Sequence, residues 1–229
     1  MFTAHHASVV LIATSVALLL PACSLTETSR AVQVETTRAA GGSYSGARLP
    51  IAVGKFDNRS GYLRGVFSDG VDRLGNQAKT TLIAHLQQAQ RFEVQERDNL
   101  AETGQEAKLQ GSAQRLTGAS YLITGDVTEF GRKDVGDRQL FGVFGRGKSQ
   151  IAYAKVTLNV VNSVTAQVAY SARGAGEYAL SEREVLGFGS TAGYDATLNG
   201  KVLDLAMREG VDNLVAAMDA GQWGKEARQ

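Results

Sequence analysis

Two glycine-rich stretches set the strongest limits on how this 229-residue chain can fold. Residues 131–147 contain five of the 26 glycines, and residues 174–200 contain six more. Structureless loops of this length are uncommon in compact domains, and those that occur usually carry a function. The two stretches therefore call for a specific structural explanation, either as functional loops or as long β-hairpins.

Side-chain alternation favours a hairpin for the second stretch. Across residues 168–180 the even positions are apolar or small, whereas the odd positions include serine, arginine and glutamate. The alternation returns over residues 186–196, after a charged tip at 182–184. Membrane-spanning β-strands need about 9 to 11 such residues, but a hairpin on a soluble core alternates in the same way. The first stretch is less regular, because charged residues at 132–138 occupy both faces.

The chain begins with an uncharged segment that has the features of an export signal. The protein contains 24 Lys and Arg and 23 Asp and Glu, and none of them precedes Glu27. Residues 7–20 are apolar or small apart from three hydroxyl side chains, a length typical of a secretory signal and too short to span a bilayer. Leu20-Pro21-Ala22-Cys23 then resembles a bacterial lipobox, although Pro21 is unusual there and no Lys or Arg precedes the apolar run.

The only cysteine of the chain lies at the one position where a lipobox needs it. We therefore predict a signal peptide over residues 1–22, a covalent lipid on Cys23 and a Ser-, Thr- and Gly-rich tether over residues 23–48. Each buried methylene of the acyl chains contributes about 0.8 kcal/mol to membrane anchoring. Ser24 follows the cysteine at the position where an aspartate would favour retention in the inner membrane. By resemblance to that sorting rule, we predict an outer-membrane protein that faces the periplasm. An ordinary signal peptide or a buried thiol is the alternative.

Composition and motifs argue against several kinds of chemistry. One cysteine and three histidines do not suit a disulfide framework or a metal centre, and the net charge of +1 gives no reason to expect nucleic acid. Residues 142–149 match a phosphate-binding loop, but the β-branched run after them predicts a strand where that loop requires a helix. His85 lies within a predicted helix and no nucleophile motif accompanies it, so we expect neither an enzyme nor a cofactor.

The remaining periodicities predict an α+β fold in which helices pack on a mixed sheet. The predicted strands cover residues 49–56, 91–95, 120–130 and 151–161, with a further strand from 167 onward. The predicted helices cover residues 69–90, 97–118 and 200–220. Trp223 follows the last helix, and we expect it to pack that helix onto the core.

Several segments occur in one order that resembles the CsgG/HfaB family of curli-secretion and holdfast-anchoring lipoproteins. They are IAVGKFDN, RFEVQERDNL, SYLITGDVTEF, IAYAKVTLNVVNSVTAQV and GYDATLNGKVLDLAMREGVDNLV. The resemblance covers about residues 49–223 and leaves 224–229 as a tail. It implies a periplasmic domain, a ring of identical subunits, and two hairpins per subunit, at about 128–153 and 168–196, that join one shared membrane β-barrel. Sharing strands would remove their exposed edges.

The resemblance also assigns the narrowest part of a pore to the loop between the first strand and the first helix. A match without gaps sets Val66, Gly70 and Val71 opposite the tyrosine, asparagine and phenylalanine of the curli channel, and none of those three is retained. Tyr62 and Phe67 are the nearby aromatic residues that could replace them. A curli-type gate is therefore not a direct prediction of this sequence.

The resemblance implies an outer-membrane ring or channel that secretes or anchors a curli-like or other surface protein or polymer. The implied partners are further copies of the chain, membrane lipid, and an exported polypeptide or accessory envelope lipoproteins. Conduction would be passive, through a ring of side chains, with no ATP chemistry. The alternative function is a periplasm-facing lipoprotein that acts as a scaffold or activator of an envelope complex without a pore.

Overall fold

The computed structural model describes residues 44–62, 70–136, 148–179 and 196–224. All of them belong to one compact unit, which runs from Thr36 to Gln229. The predicted signal peptide, the lipidation site Cys23 and most of the predicted tether lie outside the described residues.

Strands and helices follow one another in the α+β order that the sequence predicts, and a mixed sheet with helices is confirmed. The described strands are β1 (Leu49–Asn58), β2 (Phe92–Gln95), β3 (Tyr121–Gly136), β4 (Lys148–Asn162) and β5 (Val168–Ala179). The described helices are α1 (Arg73–Gln88), α2 (Leu100–Leu109) and α3 (Ala196–Asp219).

The order of the strands in the sheet is β2-β1-β3-β4-β5. β1 pairs in parallel with β2 and with β3, whereas β3 pairs antiparallel with β4, and β4 with β5. β1, β3 and β5 therefore run in the same direction and finish at the same end of the sheet. We call this the distal end. The loop after β1 and the chain segments after β3 and β5 all leave the sheet there.

The hydrophobic core lies between one face of the sheet and helices α1 and α3. Sheet residues with fully buried side chains include Ile51, Ile123 and Leu158, and Leu82 and Leu214 meet them from the two helices. Burying a side chain of this size contributes about 1.5–3 kcal/mol. The helices therefore pack on the face of the sheet where every second side chain along a strand is buried. The other face of the sheet is more polar.

Trp223 packs the end of α3 onto this core, as the sequence predicts. Its ring lies 6.1 Å from that of Phe92 in a stacked arrangement and 5.5 Å from that of Tyr121 in an edge-on arrangement. The indole Nε1 donates a hydrogen bond of 3.0 Å to the carbonyl oxygen of Leu214. The buried N–H is therefore satisfied within the fold.

Helix α3 approaches β5 so closely that a side chain on the strand would not fit at the point of contact. A Cβ atom on Gly174 would overlap the carbonyl oxygen of Ala206, and one on Gly176 would lie 2.6 Å from that of Val202. Only glycine fits at such a close approach of two backbones. The two glycines of β5 therefore set the distance between this strand and α3.

The close packing brings two polar side chains of α3 to the outer edge of β5. The Glu209 carboxylate accepts a hydrogen bond of 2.6 Å from the backbone N–H of Ala175. The Asn213 amide donates one of 2.9 Å to the carbonyl oxygen of Arg173. These contacts occupy backbone groups that an edge strand otherwise offers to another chain.

Several predicted boundaries are wrong, and most of the errors have a local cause. α1 begins at Arg73 rather than at 69, because Asp72 caps it. α2 ends at Leu109 rather than at 118, because Gly111 follows it with φ +70° and stops the helix. α3 begins at 196 rather than at 200. β3 and β4 continue past the predicted limits of 130 and 151, since they pair with each other as far as Gly136 and Lys148.

Replacing Gly174 by alanine should destabilise the domain by about 3 kcal/mol, because the new Cβ atom would overlap the α3 backbone. Urea denaturation followed by Trp223 fluorescence measures this change. Gly118→Ala is the matched control, since nothing lies within 4 Å of a Cβ atom at that position. Equal midpoints for the two variants would contradict the close β5–α3 packing.

Candidate functional site

The distal end of the sheet brings together the elements that the resemblance assigns to a pore. The loop after β1 leaves at Asn58, which lies opposite Val127 of β3. β3 continues from that level to Gly136 and pairs with β4 as far as Lys148, within the range of the first predicted hairpin. β5, the first arm of the second predicted hairpin, pairs with β4 as far as Ala179. The three strands β3, β4 and β5 thus form one continuous ribbon.

Both ends of the loop between β1 and α1 are held by the carboxylate of Asp72. Its Oδ2 accepts a hydrogen bond of 2.6 Å from the backbone N–H of Asn58, and its Oδ1 accepts one of 2.8 Å from the N–H of Gly75 in the first turn of α1. A carboxylate at this position satisfies a helix N–H and favours the positive end of the helix dipole. Asp72 therefore closes the base of the loop.

The first residues of the loop form a compact polar turn. The side-chain oxygen of Asn58 accepts hydrogen bonds from the backbone N–H and the hydroxyl of Ser60, at 3.0 and 2.6 Å. The Asn58 amide donates to the carbonyl oxygen of Tyr62 at 2.9 Å. The N–H groups of Arg59 and Ser60 both donate to the carbonyl oxygen of Val127, which fixes the turn to β3.

An aromatic contact joins this turn to the ribbon. The rings of Tyr62 and Phe130 lie 4.8 Å apart, inclined at 50°. Phe130 is buried and stands at the point where β3 extends beyond the end of β1. Aromatic pairs of this kind are worth about 0.5–1.5 kcal/mol beyond the area they bury. This ring contact therefore joins the start of the loop to the base of the first predicted hairpin.

An ion pair on the polar face of the sheet adds a second connection. Arg59 Nε donates a hydrogen bond of 2.6 Å to Asp126 Oδ1 on β3. This hydrogen bond, together with the negative charge of the Asp126 carboxylate, raises the pKa of the Arg59 guanidinium above its ordinary value. The ion pair therefore joins the start of the loop to β3 on the polar face of the sheet.

The described residues include three of the five candidates for a pore-lining loop. Tyr62 is partly buried against Phe130, whereas Val71 is half exposed at the other end of the loop. Gly70 adopts φ +67°, and open space surrounds the position of its missing Cβ atom. Val66 and Phe67 lie outside the described residues. The structure thus places Tyr62, Gly70 and Val71 at the distal end and leaves the role of all five as a prediction.

The other candidate chemical motifs of the sequence lie within a strand or within the helical part of the core. Lys148 and Ser149, the last residues of the phosphate-loop pattern, belong to strand β4, which begins before the predicted residue 151 and continues through the run that the loop would need as a helix. His85 is buried between α1 and α3, where its Nε2 lies 2.7 Å from Asp204 Oδ1. The described residues hold no cluster of three or more potential metal ligands. Among the described helices, none is long and apolar enough to cross a membrane.

Sequence reasoning missed the residues that hold this site together. Asp72, Asn58 and Phe130 were not candidates, although an aspartate directly before a helical pattern is a recognisable cap signal. The hydrogen bonds from Asn58 and the ring contact of Phe130 depend on the pairing of β1 with β3. No local pattern reports that pairing.

Comparison with known proteins defines the class to which this fold belongs. The family model described as "Curli production assembly/transport component CsgG" matches residues 31–229. A candidate lipoprotein of Neisseria meningitidis serogroup B is 60% identical over 216 residues, which cover 93% of this chain and 97% of that protein. The protein belongs to the CsgG family.

Solved structures with a similar arrangement of elements are more distant in sequence. A PelC variant from Paraburkholderia phytofirmans, crystallised as a dodecamer, is 18% identical with a TM-score of 0.38 and covers 75% of this chain and 94% of its own. A Neisseria meningitidis lipoprotein is 14% identical with a TM-score of 0.34 and covers 76% and 96%. Similarity at this level says nothing about activity.

Replacing Asp72 by alanine should destabilise the domain by about 2 kcal/mol, because two backbone N–H groups lose their acceptor. Chemical denaturation measures the loss, and limited proteolysis within residues 59–71 should become faster. Asn99→Ala is the matched control, since Asn99 precedes α2 but makes no side-chain capping bond. A loss as small as that of the control would contradict the role of Asp72.

Proposed function

We propose that this protein is an outer-membrane lipoprotein that assembles into a ring and secretes or anchors a surface protein or polymer. A lipid on Cys23 would anchor each subunit, with the mixed sheet in the periplasm. Membership of the CsgG family supports the proposal. The observation that carries it is the convergence of the loop after β1 and the paired strands β3, β4 and β5 at one end of the sheet.

The geometry suggests how such a ring would work. The loop of one subunit can line only one side of a passage, so closure requires several copies around an axis. Asp72 and the turn at Asn58 would hold each loop at a fixed height relative to the ribbon. Tyr62 and Val71, with Val66 and Phe67 between them in sequence, would supply the side chains that limit the width. Conduction would be passive.

A second function is favoured by a different observation. The edge of β5 is partly occupied by Glu209 and Asn213, which lowers its capacity to pair with another chain. A protein with this feature could remain in the periplasm as a lipid-anchored scaffold or activator of an envelope complex. In that case the ribbon would stay in water, and no pore would form.

Single-channel recording in planar bilayers tests the channel directly, with the lipidated protein purified in detergent. Val71→Trp should lower the conductance of each channel by about half or more, because Val71 is half exposed in the candidate constriction loop. Val164→Trp is the matched control: Val164 is also exposed, but it lies in the turn between β4 and β5 at the opposite end of the sheet. Absence of conductance in the wild-type protein would overturn the channel and favour the scaffold.

Labelling of intact cells separates the two functions independently. The natural sequence has one cysteine, which the proposal assigns to a lipid, so an added cysteine reports without background. A membrane-impermeant maleimide should label Arg183→Cys, in the charged segment predicted as the tip of the second hairpin, from outside the cell. Val164→Cys should react only after the outer membrane is permeabilised. Equal protection of both positions before permeabilisation would support the scaffold.

A further inference from the structure

Helix α2 and the segment after it are exposed along their length in the described structure. None of the ten residues of α2 is buried, and residues 110–118 are all exposed. Leu109 at the end of the helix is 73% exposed, and Leu116 is 58% exposed. Isolated helices shorter than about 12 residues are marginal in water, because packing of one face supplies most of the stability of a helix. Helix α2 therefore needs a surface that the described part of one chain does not provide.

One face of α2 combines an apolar side chain with two negative charges. Glu102, Glu106 and Leu109 follow one another at steps of four and three residues, so they lie on the same side of the helix. Like charges four residues apart destabilise a helix. Among the described residues neither glutamate takes part in an ion pair. We call these three residues the α2 face, and a cation placed between its two glutamates would relieve their repulsion.

A groove beside β5 carries a cation that suits this face. The groove has a volume of about 430 Å³ and lies between β5 and the second half of α3. The residues that line it include Tyr170, Arg173, Asn213, Ala216 and Gln222. Arg173 is exposed, and within the described part of the chain it takes part in no ion pair. We call this site the edge groove.

The backbone at the edge groove favours a helix as the occupant over a further strand. The carbonyl oxygen of Arg173 already accepts a hydrogen bond from Asn213, and the N–H of Ala175 already donates to Glu209. A strand added at this edge would have to displace both side chains. A helix satisfies its own backbone groups and can fill the groove with side chains alone.

The α2 face and the edge groove lie at opposite edges of the sheet and close to one level along the strands. Helix α2 follows the edge strand β2 after a short connection, and β5 is the other edge strand. Gln95, at the end of β2, pairs with Ala52. The next row across the sheet runs through Val53, Ile123, Val160 and Tyr170. Two copies side by side can therefore join these surfaces with little shift along the strands.

We propose that the α2 face of one subunit docks into the edge groove of its neighbour, where Leu109 enters the groove and Arg173 pairs with Glu102 and Glu106. Two different surfaces of the same chain meet in this contact, so each copy leaves one surface open for the next. Such head-to-tail contacts close into a ring when the rotation between copies closes. The inference rests on the proposed assembly into a ring, and it adds the two surfaces that join the subunits.

Disulfide cross-linking tests the contact directly. Leu109→Cys and Ala216→Cys are combined in full-length lipidated protein, in which the proposed lipid occupies the natural cysteine. Four strand spacings, about 19 Å in total, separate the two edges of the sheet, so the bond is out of reach within one chain. Mild oxidation should give a ladder of covalent dimers, trimers and larger species.

The matched control for cross-linking combines Leu109→Cys with Lys201→Cys. Lys201 is exposed on the same helix as Ala216 but lies 15 residues earlier, about 22 Å away along α3. This pair should give no ladder. An equal ladder from both pairs would mean that the contact is not specific to the edge groove, and would overturn the inference.

Charge exchange tests the ion pairs. Arg173→Glu should raise the protein concentration at half-assembly by about ten-fold, because three carboxylates would then meet. Glu102→Lys with Glu106→Lys should do the same with three cations. Combining all three substitutions restores opposite charges and should recover most of the assembly, measured by analytical ultracentrifugation in detergent. Lys108→Glu is the matched control, since Lys108 is exposed on α2 outside the α2 face.

The outcomes separate this inference from the function on which it rests. Dimers from the Leu109→Cys variant alone would mean that α2 packs on α2 of another copy, and would overturn the inference. Rings that persist in native mass spectrometry without a ladder, or a triple variant that assembles no better than Arg173→Glu, would overturn it and leave the ring in place. Wild-type protein that stays monomeric would overturn both. Thermal unfolding of each variant confirms that the comparison is made on folded protein.

Discussion

The parallel pairing of β1 with β3 is the constraint on which the rest of this structure depends. It sets Asn58 opposite Val127, so the chain leaves β1 directly beside the strand that continues into the ribbon. The N–H groups of Arg59 and Ser60 can then reach the Val127 carbonyl, and Tyr62 can reach Phe130. Without this register, the loop and the first hairpin would have no fixed relation to each other.

The glycines of β5 are a second constraint with a wider consequence. Gly174 and Gly176 let α3 lie against the strand backbone, and this brings Glu209 and Asn213 to the strand edge. The part of β5 whose edge these two side chains occupy lies near the core, whereas the strand continues beyond it to Ala179. Near the core, β5 must lie close to the backbone of α3, and beyond the core it must pair with β4. The glycines of β5 allow the close packing without interrupting the pairing.

Period-two alternation predicted the strands well because successive side chains of a strand point to opposite faces of the sheet. Burial of one face therefore appears as alternation between neighbouring residues. The same reasoning rejected the phosphate-loop pattern that ends at Lys148 and Ser149, because the run after it alternates as a strand does. Helix ends were less accurate. α2 stops at Leu109 because Gly111 takes a left-handed conformation, and a glycine can equally well continue an apolar pattern as end it.

The sequence by itself determined the α+β class, the identity of the strands, the candidate lipid anchor at Cys23 and the family to which the chain belongs. These features depend on local periodicity or on motifs of a few residues. Only the tertiary structure decided that Asp72 closes the loop, that Phe130 joins it to the ribbon, and that the α2 face and the edge groove lie at opposite edges of the sheet. Those relations depend on the order and register of strands far apart in the chain, which backbone hydrogen bonds and core packing fix together.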